Sequence, residues 1–228
     1  MIPATTRYAF YDLDRTITRL PTWSAFLLYA ARARAPWRLA LVPAAALAAV
    51  AHKAGLMNRD RLKEVMHRLL IGGAVHAGDL SRIADAFAEQ QVSGNVRAGA
   101  RARIAADRAA GYRVILATAA HRFYATAIAR RLGIADVIAT EASSAPDGRV
   151  GHRLSGANVY GAAKLAAVTA WLGHRGEPRE RQHVRFYSDH ATDAPCLAFA
   201  DEGFAVHPDR RLRALAHANG WPILDWMQ

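Results

Sequence analysis

Two aspartates separated by one residue, Asp12 and Asp14, follow an apolar stretch near the start of the sequence. The stretch from Tyr8 to Leu13 is short and rich in aromatic residues, which predicts a buried strand. In open parallel sheets, ligands bind at the carboxyl ends of the strands. Side chains at positions i and i+2 share one face of a strand, and both can turn towards one point where the strand ends. Two converging carboxylates with a metal ion between them are suited to phosphoryl transfer.

The same Asp-x-Asp-x-Thr pattern also has an interpretation that involves no chemistry. Thr16 or Thr18 could cap a following helix, because threonine side chains accept hydrogen bonds from the first free N–H groups of a helix. On this stretch alone both interpretations stay open. The choice depends on whether further polar residues follow other strands.

Further polar residues occupy matching places later in the chain. Thr118 and Asp189 each stand at the end of an apolar, strand-like stretch. Lys164 lies near the start of an apolar helical pattern, and Asp193 comes four residues after Asp189. Each also has an ordinary alternative role, as a strand-end hydroxyl, a solvated lysine or a helix cap.

The elements that must position these residues alternate between helix and strand from residue 97 onward. This alternation is typical of a parallel sheet with right-handed crossovers. An Asp-Gly pair between residues 143 and 154 predicts a β-hairpin. The predicted strands are residues 8–13, 112–118, 136–140, 184–188 and 204–207.

Residues 18–92 predict an all-helical insertion after the first strand. Apolar spacing indicates a helix from Trp23, and Pro43 either kinks a second helix or starts it. Asn58 is a suitable N-cap for a third helix. A short amphipathic pattern over residues 81–91 indicates a fourth.

These motifs, in this order, resemble those of the haloacid dehalogenase-like hydrolase superfamily, and the resemblance covers essentially the whole chain. The helical insertion after the first motif is similar to that of the phosphoserine-phosphatase-like subfamily, subfamily IB. The resemblance implies an α/β fold with a Rossmann-like parallel-sheet core, residues 1–17 and 93–228, and a helical cap, residues 18–92. The four motifs are Asp12-Leu-Asp14-Arg-Thr16, Thr118, Lys164 in Gly-Ala-Ala-Lys, and the segment from Asp189 to Asp193.

The resemblance further implies a magnesium-dependent phosphatase that acts through an aspartyl phosphate. Asp12 would be the nucleophile, and Asp14 would protonate the leaving group and then activate water. Thr118 and Lys164 would hold the phosphoryl group. Mg²⁺ prefers hard oxygen ligands, which would come from Asp12, the backbone carbonyl of Asp14, Asp189, and Asp193 either directly or in support.

Two departures from the family pattern bear on the substrate. The residue after Asp14 is commonly glycine in the superfamily, but here it is Arg15, a cation that would gate the site or bind substrate. Phosphoserine phosphatases carry an acidic residue shortly after the first motif that binds the substrate ammonium. None is present between Arg15 and Trp23, so we expect a small phosphorylated metabolite other than phosphoserine.

The composition is strongly basic. The net charge is +11, and only three of the 30 basic residues are lysines. Such a charge attracts nucleic acid, anionic lipid or phosphorylated substrates. No helix-turn-helix, zinc-finger or aromatic RNA-binding pattern accompanies it, so a nucleic-acid partner is not expected. The single cysteine, Cys196, and the lack of a secretory signal pattern indicate a cytoplasmic protein.

Residues 39–51 form a run without a charged side chain, just after Arg34 and Arg38. A helix needs about 20 apolar residues to cross a bilayer, so this run is too short. It predicts either a buried cap helix, the simpler expectation, or a segment that lies in the membrane interface. In the second case the protein would bind the inner face of the membrane. A lipid phosphate such as phosphatidylglycerophosphate would then be an alternative substrate.

A non-enzymatic alternative is a basic scaffold that keeps the fold in order to bind a partner. The clustered carboxylates argue against it, because a binding scaffold has no physical need for them. The expected partner is therefore a phosphorylated small molecule. The sequence gives no indication of an oligomeric state.

Overall fold

The computed structural model describes residues 5–226, and a six-stranded sheet lies at its centre. The sheet order is β4-β3-β1-β7-β8-β9, and every pairing in it is parallel. The remaining strands form a small antiparallel sheet in the order β2-β6-β5. The strands are β1 (Thr6–Tyr11), β2 (Ala74–His76), β3 (Arg113–His121), β4 (Asp136–Thr140), β5 (Ala142–Ser144), β6 (Arg149–Leu154), β7 (Gln182–Ser188), β8 (Glu202–Val206) and β9 (Ile223–Leu224).

Helices cover both faces of the large sheet, so the core has three layers. Helices α5 and α6 pack on one face, and α7, α8 and α9 pack on the other. The sheet helices are α5 (Ala98–Ala109), α6 (Arg122–Arg131), α7 (Ala162–Gly173), α8 (Ala194–Phe199) and α9 (Arg210–Asn219), and they follow the cap helices α1 (Trp23–Arg34), α2 (Val42–Lys53), α3 (Arg59–Leu70) and α4 (Ala77–Gly94).

The central strand β1 divides its side chains between the two faces. Ala9 and Tyr11 belong to the apolar cluster shared with α5 and α6, whereas Tyr8 and Phe10 belong to the cluster shared with α7 to α9. This period of two is the one expected of a strand. Because both faces are covered, β1 carries a continuous apolar sequence, which is the feature that predicted a buried strand.

The predicted α/β class and parallel-sheet core are confirmed by this architecture. All five predicted parallel strands are present, and the Asp-Gly turn joins β5 to β6 in the expected hairpin. The two-residue edge strand β9 and the helix α9 were not predicted from the sequence. Strand β9 is too short for a distinct apolar pattern, whereas α9 is amphipathic and as long as the predicted helix α6, so its signal was present in the sequence.

The insertion is helical except for one strand, so the expectation of an all-helical cap is wrong in this detail. The three residues of β2 pair with β6 of the core hairpin. Helix α4 is also longer than the pattern over residues 81–91 indicated, since it spans Ala77–Gly94. Two predictions hold: Pro43 lies in the first turn of α2, and the side chain of Asn58 caps α3.

The two chain segments that connect cap and core pair with each other. Thr18 and Val96 form an isolated β-bridge, and the Arg19 N–H donates to the Asn95 carbonyl at 2.8 Å. We propose the domain division implied by the family resemblance, with a core of residues 1–17 and 93–228 and a cap of residues 18–92. The paired connecting segments and the β2–β6 pairing attach this cap to the core at separate places.

The uncharged run does not form a buried cap helix, so the simpler expectation for it is wrong. Within α2 only Ala45 and Ala48 are buried, and the exposed fraction of Leu47 is 70%. Across residues 5–226, none of the helices combines the length and the apolar character needed to cross a membrane.

Candidate active site

Three neighbouring strands carry the predicted site residues to one edge of the sheet. Strands β3, β1 and β7 lie side by side, with Thr118 near the end of β3, Asp12 directly after β1 and Asp189 directly after β7. All three side chains are buried, and all three line one cavity of about 280 Å³. The sheet topology thus brings together residues that are far apart in the sequence.

One wide turn, Leu13–Ile17, directs the chain after β1, and Asp14 and Arg15 within it have non-helical backbone angles. The Asp12 N–H donates to the Tyr187 carbonyl at 3.0 Å, which continues the pairing of β1 with β7 beyond the strand. The Thr18 N–H and hydroxyl both donate to the Leu13 carbonyl, at 2.9 and 3.1 Å. Thr18 therefore closes the turn and does not cap a helix.

Arg15 has a backbone conformation that is unusual for its type. Its φ is 62° and its ψ is −8°, in the left-handed region that favours glycine. This gives a physical reason for the glycine that is common at this position in the family resembled. In this chain the position holds an exposed cation at the cavity mouth.

The Asp14 carboxylate is held in one orientation by Thr22. Its Oδ1 accepts hydrogen bonds from the Thr22 N–H and from the Thr22 hydroxyl, both at 2.7 Å. Burial raises the pKa of Asp14, although these two hydrogen bonds act in the opposite direction. The two hydrogen bonds from Thr22 therefore fix the position of the Asp14 carboxyl group.

Lys164 lies between two carboxylates. Its Nζ is 2.8 Å from Oδ1 of Asp12 and 2.6 Å from Oδ2 of Asp193, and its exposed fraction is 2%. The Ser188 hydroxyl donates to the same Asp193 oxygen at 2.7 Å. The alternative of a solvated lysine is therefore wrong. Asp193 makes no side-chain cap to α8, so the alternative of a helix cap is wrong as well.

The electrostatic balance of this group is negative. Burial, opposed by Lys164 and reinforced by Asp193 and Asp189, raises the pKa of Asp12 to about 8. Burial and the Asp193 charge raise the pKa of Asp189 to about 7. Burial by itself lowers the pKa of Lys164, but the carboxylates of Asp12 and Asp193 raise it above the ordinary lysine value. One lysine cation therefore faces three carboxylates, and further positive charge would stabilise their ionised forms.

The available groups fit Mg²⁺. They are oxygen donors, and the buried Oδ1 of Asp193 has no hydrogen-bond partner. Asp189 is oriented by the Thr16 hydroxyl, which donates to its Oδ1 at 3.3 Å. In residues 5–226 no three Asp, Glu, His or Cys side chains form a ready-made metal cluster. Mg²⁺ does not require one, because it commonly binds one or two carboxylates and completes its shell with water and substrate phosphate.

After Thr118 the pairing of β3 with β4 shifts register, and this irregular segment, which we call the Thr118 turn, borders the cavity. The Ala120 N–H donates to the Thr118 hydroxyl oxygen at 3.0 Å, and Thr118 and Ala119 both line the cavity. On the other side of this turn, the Thr140 hydroxyl donates to the Ala119 carbonyl at 2.9 Å. The hydrogen bond from Thr140, the last residue of β4, thus holds the turn in place.

A cap lysine supports the same turn. Lys63 of α3 donates from Nζ to Oδ1 of Asn158 at 2.7 Å and also to the Ala119 carbonyl. Its exposed fraction is 2%. Burial, reinforced by the Arg59 charge, lowers the pKa of Lys63 to about 7. Lys63 therefore connects the cap directly to the backbone beside Thr118.

The mouth of the cavity is cationic. Arg59, at the start of α3, stacks over the Tyr160 ring at 3.9 Å, and both residues line the cavity with Arg15. Among the described residues that line it, every carboxylate is one of Asp12, Asp14, Asp189 and Asp193. The lining residues are Asp12, Asp14, Arg15, Pro21, Arg59, Thr118, Ala119, Tyr160, Lys164, Asp189, His190, Thr192 and Asp193.

All six residues predicted from the motifs meet around this cavity, but the sequence did not single out the residues that support them. Thr22 and Lys63 were missed because their contacts depend on how the cap packs. One available signal was the rarity of lysine, since two of the three lysines, Lys63 and Lys164, are buried beside the cavity. Two histidines lie close to the motifs in the sequence: His121 is buried and does not line the cavity, whereas His190 lines it.

Comparison with known proteins gives a family match over most of the chain. The family model described as haloacid dehalogenase-like hydrolase matches residues 9–198. The histidinol-phosphatase of Neisseria meningitidis is 29% identical over 127 residues, which cover 55% of this chain and 57% of that protein. The phosphoserine phosphatase SerB1 of Mycobacterium tuberculosis is 38% identical over 117 residues, which cover 51% and 37%. The chain thus spans less than two thirds of either relative.

Solved structures give a match over the full length. A protein of unknown function from Bordetella pertussis is 27% identical and superimposes with a TM-score of 0.87, covering 98% of this chain and 100% of that chain. A phosphoserine phosphatase, solved as an analogue of its phospho-aspartyl intermediate, superimposes with a TM-score of 0.63 at 14% identity, covering 99% and 95%. At this identity the second match establishes a shared fold.

Proposed function

Because this chain belongs to the haloacid dehalogenase-like hydrolase family, we propose that it is a phosphatase that cleaves a phosphomonoester through a covalent aspartyl phosphate. Family membership confirms the resemblance found in the motifs and supports the proposal of a hydrolytic enzyme. The observation that carries the proposal is the ion-paired arrangement of Lys164 between Asp12 and Asp193, beside Asp14 and Thr118 in one cavity.

In the first proposed step, a carboxylate oxygen of Asp12 attacks phosphorus. A bond forms between this oxygen and phosphorus while the bond from phosphorus to the leaving oxygen breaks. Burial raises the pKa of Asp14 above its ordinary value. In its protonated form the Asp14 carboxyl group passes a proton to the leaving oxygen. Thr22 keeps the Asp14 carboxyl group in position for this transfer.

In the second proposed step, water attacks the aspartyl phosphate. Asp14, now ionised, takes a proton from this water, inorganic phosphate leaves, and the Asp12 carboxylate is restored. Lys164, the Thr118 hydroxyl and the Ala119 N–H bind phosphoryl oxygens in both steps, where fixed positive charge and donors stabilise the transition state. Asp193 orients Lys164 through their ion pair.

We propose Mg²⁺ as the cofactor, held by the carboxylates of Asp12 and Asp189 and the backbone carbonyl of Asp14, with Asp193 in support. When bound, Mg²⁺ would neutralise the negative charge of the carboxylates and the phosphoryl group. Its positive charge would also compensate the excess negative charge that arises because three carboxylates face the single cation Lys164.

The proposed substrate is a small phosphorylated metabolite with a neutral or anionic leaving group. Phosphoserine and histidinol phosphate, which the names of two relatives suggest, both carry an amine. A cationic amine would meet Arg15 and Arg59 at the mouth, and no carboxylate outside the proposed catalytic set lines the described cavity. Like charges placed together disfavour such substrates. We also propose a cytoplasmic location, which the single cysteine, Cys196, supports.

A lipid phosphate is a second candidate substrate. The observation that favours it is the exposure of apolar side chains on the cap, including Leu47 and Leu56, whose exposed fractions are 70% and 83%. Such a surface would allow the enzyme to act at the inner face of a membrane.

The experiment is a phosphate-release screen with Mg²⁺ present, in which Asp12→Asn is the inactive control. The panel contains sugar phosphates, nucleotides, phosphoserine, histidinol phosphate and a lipid phosphate in mixed micelles. We expect release from a phosphomonoester without an amine. Asp12→Asn should lower kcat on the order of a million-fold, as removal of a catalytic nucleophile does. Ordinary activity of this variant contradicts the mechanism, and a preference for phosphoserine or histidinol phosphate contradicts the proposed leaving group.

A further inference from the structure

The cap bears a cluster of large apolar side chains that the rest of the described chain leaves uncovered. Among residues 5–226, eight large apolar side chains are exposed, and six of them lie between residues 37 and 56. We call these six the α2 surface. Its members and their exposed fractions are Trp37 64%, Leu39 37%, Val42 36%, Leu47 70%, Val50 62% and Leu56 83%.

This clustering differs from the scattered apolar residues of an ordinary protein surface, which need no explanation. A helix that is apolar on every side is normally buried. Helix α2 carries no ionised side chain before its last turn, and it buries only Ala45 and Ala48. The surface therefore suits a partner that is itself apolar at the point of contact.

Along the chain, the charges within and beside the α2 surface have one sign, and the nearest carboxylates on the neighbouring helix α3 are Asp60 and Glu64. Between Asp14 and Asp60 the sequence contains no Asp or Glu. Arg32, Arg34 and Lys53 are exposed, and Arg38 stacks on Trp37 at 4.7 Å. The cations in this interval are Arg15, Arg19, Arg32, Arg34, Arg38, Lys53 and Arg59.

We propose that the α2 surface docks on an anionic membrane, with α2 lying in the plane of the interface. Its twelve residues give a helix about 18 Å long, too short to cross a hydrocarbon core of about 30 Å. Apolar side chains inserted below the headgroups, arginines beside anionic headgroups, and tryptophan at the headgroup level make up the pattern of an interfacial helix.

A second copy of this chain is a poorer occupant. A two-fold contact through this surface would place its cationic margin against the same margin of the other copy. An anionic lipid surface supplies the charge that the interval between Asp14 and Asp60 lacks.

The docked orientation connects the membrane with the cavity. Leu56 precedes Arg59, a mouth residue, by three positions, a chain distance of at most roughly 11 Å. Binding of the α2 surface to a membrane does not require that the protein is a phosphatase. Only the delivery of a lipid phosphate to this mouth rests on the proposed phosphatase function.

The test uses an environment-sensitive fluorophore attached to Leu47→Cys in the full-length chain. The native Cys196 is fully buried, and burial raises its pKa to about 12, so labelling goes to the introduced thiol. The matched control carries the same label at Arg213→Cys on α9, an exposed site on the core. Each protein is titrated with vesicles of phosphatidylglycerol and phosphatidylcholine, and with pure phosphatidylcholine vesicles.

We expect a blue shift at position 47 with anionic vesicles and none at position 213. Raising the salt from 0.05 to about 0.5 M should weaken binding at least about tenfold, because salt screens the arginine contacts. Arg32→Glu should weaken binding by about fivefold or more, whereas Arg213→Glu should leave it unchanged. The double variant Leu47→Gln, Val50→Thr should weaken binding to anionic vesicles and retain phosphate release from a soluble substrate.

Three results would overturn the inference. The first is no binding to anionic vesicles at low salt. The second is equal binding to neutral vesicles. The third is a blue shift that grows with protein concentration in the absence of vesicles, together with a dimer in light scattering, which would identify a second copy as the occupant. Circular dichroism of each variant excludes unfolding as the cause. A protein that binds vesicles but releases no phosphate would contradict the proposed function and leave the docking inference standing.

Discussion

Two lysines near the cavity are buried to the same extent, but their pKa values are shifted in opposite directions. Lys164, at the core edge, and Lys63, where cap and core meet, are each 2% exposed. Lys164 contacts two carboxylates, which raise its pKa above the ordinary value. Lys63 contacts the Asn158 amide oxygen and the Ala119 carbonyl, which are neutral, and burial lowers its pKa to about 7.

The difference shows that partners, rather than depth, decide whether a buried lysine keeps its proton. At the core edge the positive charge is permanent, as is required of a group that must face phosphoryl oxygens in every turnover. Between cap and core the ammonium mainly supplies hydrogen bonds to the turn beside Thr118. Arginine, with its planar guanidinium, could not replace a compact tetrahedral ammonium in either place.

Metal removal should have the largest effect, because the core edge retains more negative than positive charge. Exhaustive chelation should stop phosphate release, and Mg²⁺ should restore it. Mg²⁺ should also raise the melting temperature of the wild-type protein, since a ligand that binds only the folded state stabilises it. Asp189→Asn should lose this rise. Full activity in metal-free buffer would contradict the proposed cofactor.

Replacement of Lys164 should lower kcat more than replacement of Lys63. Lys164→Met keeps the chain length but leaves Asp12 and Asp193 without their cation, and breaking a buried pair costs about 3–5 kcal/mol. We expect kcat to fall about a thousandfold, comparable to the loss of a preorganised transition-state donor. The measurement is steady-state phosphate release at a temperature where circular dichroism shows the variant folded. A change in KM alone would contradict a transition-state role.

Lys63→Met should have a smaller and different effect. It removes the support of the Ala119 carbonyl without touching a carboxylate, and we expect kcat to fall about ten- to a hundredfold through misplacement of the Thr118 turn. Lys53→Met, at an exposed position on the cap, is the matched control and should retain full activity. A wild-type kcat for Lys63→Met would show that the turn needs no support from the cap.

The same substitution should change how stability depends on pH. The folded-state pKa of Lys63 lies below its unfolded value, so between about pH 7 and pH 10 the unfolded chain binds more protons at this group. The penalty of burying the charged form is complete below pH 7 and declines as the pH rises. The unfolding free energy of the wild-type protein should therefore rise relative to that of Lys63→Met over this range. Urea denaturation of both proteins at pH 6.5, 8 and 9.5 measures the difference.

The smallest effect is expected at Arg15, where the core edge holds a strained backbone. With φ at 62°, Arg15→Gly should be more stable than Arg15→Ala by about 1 kcal/mol, the reverse of the usual order in a helix. Both variants lose the guanidinium, so the comparison isolates the backbone. If the alanine variant is the more stable, the turn after β1 relaxes readily and is not held in the conformation described.

The two lysines also differ in whether their place in the site could be predicted from the sequence. Lys164 was predictable because it comes in order between strand-end motifs whose meeting point is fixed by sheet topology. Lys63 was not, because a lysine four residues after Arg59 on a helix ordinarily faces solvent. Its burial depends on Ala119 and Asn158, which are distant in the chain.

The strand β2 and the exposure of α2 could not be predicted either, because both depend on contacts between residues that are distant in the sequence. A three-residue strand at Ala74–His76 is stable only with β6 beside it, and short-range patterns do not record such a partner. The apolar pattern of α2 correctly predicted a helix but not its exposure, because exposure depends on whether other parts of the fold cover it. The strands themselves were predictable, since burial on both faces leaves a continuous apolar run.

The pairing of β2 with β6 attaches the cap to the core at a place distinct from the bridge between Thr18 and Val96 and from the contact of Lys63. Nearby, the Leu154 N–H donates to Oε1 of Glu64 on α3 at 3.1 Å. With attachments at separate places, cap and core should melt together in a single cooperative transition. Amide hydrogen exchange at β2 should then be as slow as in the strands of the core. Substrate would in that case reach the cavity past the exposed residues that line it, among them Arg15 and Arg59, without detachment of the cap.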